Sequence, residues 1–305
     1  MVIVVGAAGG CAILAGVAHA AKRPPISPGD GARRADGASA VVTIQAGSPG
    51  KRPLFCVHAE AGDVSLYYAL ARHLAPDQPV LGLCAPPAFE LGERRLERIA
   101  GLHVPAIAAA QPGGPYLIAG ECTGGALAYE IAQQLRSAGQ DVALLALLDA
   151  FPPGLPRLSR FMPRLAYRSV HRARIIGFHL ANLARLRMRA KLAYAAAKAG
   201  RARRALSMKA AAVHRSTAGV SPQQAYREAF AAYDPRPYAG AAVVFRAAKL
   251  PLGVRAAPAM GWDRLVKELE VETVPGYYTT PISEPGVRVL ADRLSAHLRA
   301  YADQA

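Results

Sequence analysis

The sequence predicts an α/β fold: a mostly parallel, doubly wound sheet that carries a basic helical insertion. Three observations predict it. Short apolar runs alternate with helix-like segments of about 10 to 15 residues, as in βαβ units. The apolar runs are continuous, which is typical of strands buried on both faces. The alternation stops near residue 151 and resumes near residue 235, so the segment between is an insertion.

The elements follow in strict order on either side of the insertion. Strands are predicted at PLFCVH, PVLGLCA, PYLIAG and DVALLALLDA, and helices at SLYYALARHLA, RRLERIAGLHVPAIAAAQ and ALAYEIAQQLRSAG. After the insertion come strands at AAVVFRA and LEVETVP and an amphipathic helix, EPGVRVLADRLSAHLRAYA. The predicted domain covers 51–303, with the insertion at about 151–235, and VVTIQ is suited to an edge strand before it. The chain of 305 residues, 52% hydrophobic, is long enough for such a domain.

The N-terminal segment is apolar and is followed by a predicted linker. Residues 1–21 contain no Asp, Glu, Lys or Arg, and their length suits an inner-membrane anchor. The basic pair after it, Lys22 and Arg23, would then place the rest of the chain in the cytoplasm. A cleaved export signal and an unstructured start are the alternatives. Residues 22–50, rich in Pro, Gly, Ser and Ala, predict a linker.

The insertion carries much of the net charge of +16. Between Asp149 and Glu228 there is no acidic residue, but there are 17 Lys and Arg. Such a field favours acidic partners. Three interpretations stay open: a solvated basic face over an apolar pocket, a docking site for an acidic carrier protein, and contact with an anionic membrane surface. No nucleic-acid-binding module is visible, so no nucleic acid partner is expected.

The four cysteines predict neither a metal site nor a disulfide framework. There is no CxxC pair and no His/Cys cluster with metal-ligand spacing. Cys56 and Cys84 lie in apolar, strand-like runs, where a cysteine is usually a small buried hydrophobe.

Cys122 differs, because GECTG places it between a predicted strand and a predicted helix. This is the nucleophile-elbow pattern, with cysteine where serine is usual. Gly120 and Gly124 leave room for the tight turn. The N-terminus of the following helix is expected to favour a thiolate and to offer N–H groups to an oxyanion. The alternative is a buried cysteine that happens to lie between glycines.

Asp149 is the second candidate catalytic residue. It follows LLALL, at the end of the next predicted strand and 27 positions after Cys122. An acid at that edge of a sheet suits the orientation of a catalytic histidine. A turn or helix-cap aspartate is the alternative.

On these motifs the chain resembles a known family. The segments PLFCVHAEAG, GPYLIAGECTGGALAYEIAQQLRSAG, VALLALLDAFPP, YDPRPYAG and VPG…EPGVRVLADRL are similar to the thioesterase domains of nonribosomal peptide and polyketide synthases, over about residues 50–303. The resemblance implies an α/β-hydrolase fold, with the insertion as the lid. It implies release of acyl or peptidyl groups from phosphopantetheine on a carrier protein, with no bound cofactor and no metal.

The resemblance also implies roles for individual residues. Cys122 aligns with the nucleophile and Asp149 with the triad acid, and the N–H groups of Ala59 and Thr123 align with the oxyanion donors. The family has its triad histidine in a PG-x-H segment. This sequence has Pro275-Gly276-Tyr277-Tyr278 there, so Tyr278 stands in place of the histidine.

His58 is the candidate substitute base. It follows the first core strand and is the only histidine expected near the sheet edge, where it is either a structural residue or a replacement base. The other histidines considered fall in predicted helices or in the insertion: His103, His297, His171, His179 and His214.

The ionised fraction of a thiol and the rate contribution of a general base indicate how the missing histidine affects catalysis. A free thiol is about 3% ionised at pH 7, so cysteine attacks a thioester with little help. Hydrolysis of the acyl-enzyme needs a base, which is worth about 10²–10⁴-fold, and tyrosine is a poor base. We therefore expect a slow thioester hydrolase or an acyltransferase, acting in secondary-metabolite biosynthesis. The alternative is a catalytically impaired adaptor that binds a carrier protein or a membrane.

Overall fold

A central sheet and the helices on its two faces make up most of the described protein. The computed structural model describes residues 41–86, 93–155, 157–158, 164–185, 199, 221–252, 254–255 and 257–302. The predicted anchor (1–21), most of the predicted linker, His179's side chain and His214 lie outside the described residues. Within the described residues, no helix combines the length and apolarity needed to cross a bilayer.

The sheet has seven strands in the order β1-β3-β2-β4-β5-β7-β9. All neighbouring strands run parallel except β1 and β3, so VVTIQ is the antiparallel edge strand. The strands are β1 Val41–Gln45, β2 Leu54–Val57, β3 Val80–Leu83, β4 Tyr116–Glu121, β5 Val142–Leu148, β7 Tyr238–Lys249 and β9 Val266–Tyr277. This confirms the predicted α/β fold with a mostly parallel sheet.

One feature of the insertion differs from the prediction. The insertion is predicted to be helical, without a clear strand, but β6, Arg157–Leu158, pairs antiparallel with β8, Val254–Arg255, in a small second sheet. A two-residue strand leaves no periodicity to detect, because its pairing depends on a partner almost 100 positions away.

The helices match the predicted segments, with one shorter than expected. They are α1 Tyr67–Ala71, α2 Leu96–Ala110, α3 Thr123–Ser137, α4 Arg164–Arg185, α5 Pro222–Ala232 and α6 Gly286–Ala302. The predicted helix over 65–75 is regular only at α1. The residues after α1 close as turns, with the His73 N–H bonded to the Leu70 carbonyl at 2.9 Å.

Hydrophobic burial on both faces explains the continuous apolar runs. In β4, Tyr116 and Ile118 join the cluster on the side of α2 and α3, whereas Leu117 and Ala119 join the cluster on the side of α1 and α6. Successive side chains of a strand point to opposite faces, so a strand with helices on both sides needs apolar residues at every position. Each large buried side chain contributes about 1.5–3 kcal/mol.

The strand register brings the predicted site residues to one edge. Val57 of β2 pairs with Gly120 of β4, Glu121 of β4 pairs with Leu148 of β5, and Leu148 pairs with Phe245 of β7. The segments that follow these carboxyl ends meet there, as in other open α/β sheets. The edge therefore collects the turns after β2, β4 and β5.

Candidate active site

Cys122 occupies a strained turn between β4 and α3. Its backbone has φ 52° and ψ −122°, a conformation rarely adopted by a residue with a side chain. Its N–H is bonded to the Leu148 carbonyl of β5 at 3.0 Å, and α3 begins at the next residue, Thr123. Strain of this kind persists only where the surroundings enforce it, and it lifts the side chain clear of the strand end.

Glycines around Cys122 are required by close backbone approach. A Cβ at Gly120 would lie 2.3 Å from the Gly124 carbonyl oxygen, and one at Gly124 would lie 2.8 Å from the His58 carbonyl oxygen. A Cβ at Gly125 would lie 2.3 Å from the Ala150 side chain. The packing thus needs three glycines, whereas the sequence pattern predicts a role only for Gly120 and Gly124.

Cys122 is a half-buried residue, and its sulfur has two polar neighbours. The Tyr278 hydroxyl lies 3.9 Å away, and the Thr123 backbone N–H is within hydrogen-bond reach. Both lower the thiol pKa, but burial and then the Glu121 carboxylate raise it, and the net result is a pKa well above its ordinary value. The expected thiolate at the helix N-terminus is therefore wrong for the resting site: Cys122 holds its proton.

The loop after β2 lies against the first turn of α3. His58 donates its N–H to the Leu83 carbonyl at 3.1 Å, and the Ala59 carbonyl accepts from Gly62 at 2.9 Å. No described residue accepts a hydrogen bond from the Ala59 N–H. Together with the contact between His58 and Gly124, this places the peptide that precedes Ala59 beside the elbow.

The His58 ring packs inward. It is fully buried, its Nδ1 lies 2.8 Å from the Ala59 carbonyl oxygen, and its centroid is 5.2 Å from that of His103 and 5.8 Å from that of Tyr226. Burial lowers the pKa of His58 to about 4. A histidine with that pKa is a weak base at neutral pH, and none of the described contacts joins this ring to Cys122.

Asp149 is buried and holds the loop that carries Tyr278. One carboxylate oxygen accepts the Ala247 N–H at 2.9 Å, and the other accepts the Thr279 N–H. Burial raises the pKa of Asp149 to about 6, against the effect of these two N–H groups and of Arg246. Where the family's acid would bind a histidine, this carboxylate binds backbone N–H groups.

Tyr278 is fixed between the sulfur and the protein core. Its N–H is bonded to the Lys249 carbonyl at 2.9 Å, and its ring lies 5.5 Å from that of Phe151. Burial, followed by the charges that Cys122 and Asp149 would carry, raises the Tyr278 pKa well above its ordinary value. The hydroxyl therefore keeps its proton and serves as a hydrogen-bonding group at the sulfur.

Glu121 is a site residue that the sequence analysis missed. It is buried beside Cys122, and its N–H is bonded to the Tyr67 hydroxyl oxygen at 2.9 Å. Burial, then the charges of Asp149 and Glu60, raise its pKa to about 8. A charged residue inside the otherwise apolar run PYLIAGE was the signal that could have found it.

The structure also brings a histidine of the insertion to the site. His171 of α4 has its Nδ1 2.9 Å from the Tyr277 hydroxyl, and its ring centroid lies 6.1 Å from that of Tyr278. Tyr167 stacks on the His171 ring, with centroids 5.6 Å apart and an interplanar angle of 4°. The expectation that His58 alone would lie near the edge is wrong, because local pattern says nothing about where an inserted helix folds back.

The other cysteines form no metal site in the part of the chain that is described. Cys56 is fully buried and Cys84 is partly buried. Burial raises the pKa of both thiols, that of Cys84 to about 11. The described residues contain no group of three or more His, Cys, Asp and Glu side chains that could hold a metal ion.

Several synthetases contain a segment similar to this chain. Enterobactin synthase component F of Escherichia coli K12 is 36% identical over 102 residues, which is 33% of this chain and 8% of that protein. Microperfuranone synthase of Emericella nidulans is 35% identical over 127 residues, 41% of this chain and 13% of that protein. The chain thus matches only a small part of the length of these relatives.

Solved structures share the fold. The NocB thioesterase domain from the nocardicin cluster aligns with a TM-score of 0.55 at 23% identity, over 85% of this chain and 98% of that one. The RedJ thioesterase from the prodiginine pathway of Streptomyces coelicolor aligns with a TM-score of 0.54 at 19% identity, over 81% and 90% of the two chains. The family model for the thioesterase domain matches residues 52–298, more than half of the sequence. The chain therefore belongs to the thioesterase domain family.

Proposed function

We propose that this protein cleaves or transfers acyl or peptidyl groups that a carrier protein holds as thioesters on phosphopantetheine, in the biosynthesis of a secondary metabolite. Cys122 is the nucleophile. The observation that carries the proposal is the strained turn at Cys122, with the Thr123 N–H within reach of the sulfur. Family membership and the synthetase relatives support the substrate class.

In the first step the Cys122 sulfur attacks the thioester carbonyl carbon. The carbonyl oxygen gains negative charge and accepts hydrogen bonds from the N–H groups of Thr123 and Ala59. One such donor is typically worth about 10²–10³-fold in rate. The thiol proton passes to the departing phosphopantetheine sulfur, and the Tyr278 hydroxyl, 3.9 Å from Cys122, both donates and accepts along that route.

In the second step water or another nucleophile attacks the acyl-enzyme. The attacking group must lose a proton, and Tyr278 keeps its own, so it is not the base. Asp149 positions the Tyr278 loop through the Thr279 N–H and contributes negative charge near the site. This step is the slower one, and it decides whether the product is an acid, an amide or a new thioester.

The partner we propose is an acidic acyl or peptidyl carrier protein. The described part of the lid helix α4 exposes Arg172 and Arg174, and the segment around it has no acidic residue. A cationic face of this kind steers an anionic partner. An anionic membrane surface is the competing partner, with the protein in the cytoplasm in either case.

Intact mass spectrometry after mixing with an acyl N-acetylcysteamine thioester tests the proposal. We expect the mass to rise by one acyl group in the natural protein and not in Cys122→Ala. Cys84→Ala serves as the matched control, since Cys84 is another partly buried thiol. It should label as the natural protein does.

A second function, a carrier-binding adaptor without catalysis, is favoured by Tyr278 in the base position and by the raised pKa of Cys122. Binding of an acyl carrier protein without any mass gain on Cys122 would support the adaptor and contradict the enzyme.

A further inference from the structure

We propose that His171, on the lid helix α4, is the catalytic base that the loop after β9 does not supply. This inference rests on the proposed function, because it concerns the breakdown of the Cys122 acyl-enzyme. The observation behind it is that His171 sits on the Tyr277–Tyr278 segment, the place where the family has its histidine.

Two contacts hold the His171 ring in one orientation. Nδ1 is 2.9 Å from the Tyr277 hydroxyl, and the ring stacks almost flat on Tyr167, one helical turn earlier. When Nδ1–H donates to the Tyr277 oxygen, Nε2 keeps its lone pair and is the basic nitrogen. Tyr277 thus orients the His171 ring by accepting a hydrogen bond from Nδ1–H, as the acid of a catalytic triad does for its histidine, except that the tyrosine is neutral.

The same helix lies over the nucleophile. The His171 ring is 6.1 Å from the Tyr278 ring, and the Tyr278 hydroxyl is 3.9 Å from the Cys122 sulfur. Tyr167 is close enough to Cys122 that, after burial, a Cys122 thiolate is the next cause that raises the Tyr167 pKa. His171 is therefore on the face from which water or another nucleophile would approach the acyl group.

The surroundings of His171 keep it neutral and ready to accept a proton. Partial burial lowers its pKa from the ordinary value of 6.5. Among the described residues, the titratable groups that contact the His171 ring are Tyr167 from its own helix and Tyr277 and Tyr278 from the loop after β9. The tyrosines are uncharged at pH 7, and the Arg174 guanidinium, 6.0 Å from the Tyr277 ring centre, adds a fixed positive charge on that side.

The proposed step balances without any further reagent. Nε2 of His171 takes the proton of the attacking O–H, N–H or S–H group while its heteroatom bonds to the acyl carbon. The carbonyl oxygen becomes the oxyanion held by Ala59 and Thr123. The carbon–sulfur bond to Cys122 then breaks, the imidazolium returns its proton to the sulfur, and the thiol is regenerated as the product leaves.

Rapid-quench measurement of acylation and deacylation tests His171 separately from Cys122. In His171→Ala we expect the acyl-enzyme to form and its breakdown to slow by about 10²-fold, in the range of positioned base catalysis. Added imidazole should restore part of the rate. Tyr277→Phe, which removes the oxygen that orients Nδ1, should slow breakdown by about tenfold and lower the midpoint of its acidic limb.

Repeating His171→Ala in a Tyr278→His protein distinguishes loss of a catalytic base from disturbance of the lid helix. Tyr278→His places a histidine where the family has one, so His171→Ala should then slow breakdown by less than about threefold. His297→Ala, a histidine of α6 paired with Glu272, is the matched control and should leave breakdown unchanged. Unchanged breakdown in His171→Ala, or the same loss in both backgrounds, would overturn the assignment. A natural protein that forms no acyl-enzyme would contradict the proposed function and this inference together.

Discussion

The two halves of the site are built in different ways. The half that carries the proposed nucleophile, the nucleophile half, consists of the loop after β2 and the turn between β4 and α3. Backbone groups and glycines define it, through the His58 carbonyl packed against Gly124 and the Thr123 N–H near the Cys122 sulfur. The half that carries the proposed base, the base half, consists of the loop after β9 and helix α4 of the insertion. Side chains define that half, through Asp149 on the Thr279 N–H and His171 on Tyr277.

On the proposed function, attack on the substrate and proton transfer therefore depend on different groups. The proposed oxyanion donors are backbone N–H groups, so they do not depend on whether residue 122 is cysteine or serine. Proton transfer, by contrast, needs a titratable side chain, and Tyr278 does not titrate near pH 7, so the proposed base is His171 of α4. Variants should therefore affect the two steps independently.

The largest effect is expected from Cys122→Ser, which tests whether the nucleophile half works without a base. A hydroxyl is far less acidic than a thiol, so acylation should fall by about 10³-fold or more. The double variant Cys122→Ser/Tyr278→His should recover much of that loss. Single-turnover kinetics with an acyl thioester measures the acylation rates of the single and the double variant. A Cys122→Ser variant that is acylated as fast as the natural protein would contradict the proposed difference between the two halves of the site.

A smaller loss is expected from Gly124→Ala, which strains the nucleophile half alone. The new Cβ would lie 2.8 Å from the His58 carbonyl oxygen, so the loop that carries Ala59 must move away from the elbow. Acylation should slow by about 10²-fold, as when one oxyanion donor is lost. Gly113→Ala is the control, since nothing lies within 4 Å of its added Cβ. An equal effect of the two variants on pre-steady-state acylation would argue against the placement of the Ala59 loop.

Asp149→Asn should weaken the base half by about tenfold in deacylation. The amide has one oxygen, so it cannot accept from both Ala247 and Thr279, and the Tyr278 loop loses an anchor. The lost buried hydrogen bond should cost about 1–3 kcal/mol of unfolding free energy. Asp141→Asn, at an exposed carboxylate, is the control. Urea unfolding measures the loss of unfolding free energy, and rapid-quench kinetics measures the deacylation rate. A variant in which acylation slows and deacylation does not would contradict the assignment of Asp149 to the base half.

The smallest effect concerns stability beneath the nucleophile half. His103 is fully buried beside His58, neither of its ring nitrogens has a partner among the described residues, and burial puts its pKa well below the ordinary value. Below about pH 6.5 the unfolded chain therefore binds a proton that the folded protein excludes, and stability falls as the pH falls, by about 1.4 kcal/mol per unit.

His103→Leu should remove that part of the pH dependence between pH 6.5 and 5. Glu121 and Asp149, whose pKa values are raised to about 8 and about 6, act in the opposite direction. The natural protein and His103→Leu both contain those carboxylates. The difference between their plots of unfolding free energy against pH therefore reports on His103. Parallel curves for the natural protein and His103→Leu would show that this histidine is not excluded from protonation.

The sequence predicted the turn between β4 and α3 and the strand-end position of Asp149, but it did not predict where His171 lies, for a physical reason. Continuous apolar strands, the glycines around Cys122 and the strand-end position of Asp149 are local signals, and the parallel register turns them into one edge. The position of His171 is not local, because it depends on how an inserted helix packs onto a loop about 100 residues later. The sequence did not predict the raised pKa of Cys122 either, because that shift results from burial and from Glu121 rather than from the helix terminus.

The most direct test is a rapid-quench time course on the natural protein, with peptide mapping of the acylated site by mass spectrometry. We predict that one acyl group appears on Cys122 quickly and leaves more slowly. No acyl group on Cys122 at any time, or an acyl group on another residue, would contradict it.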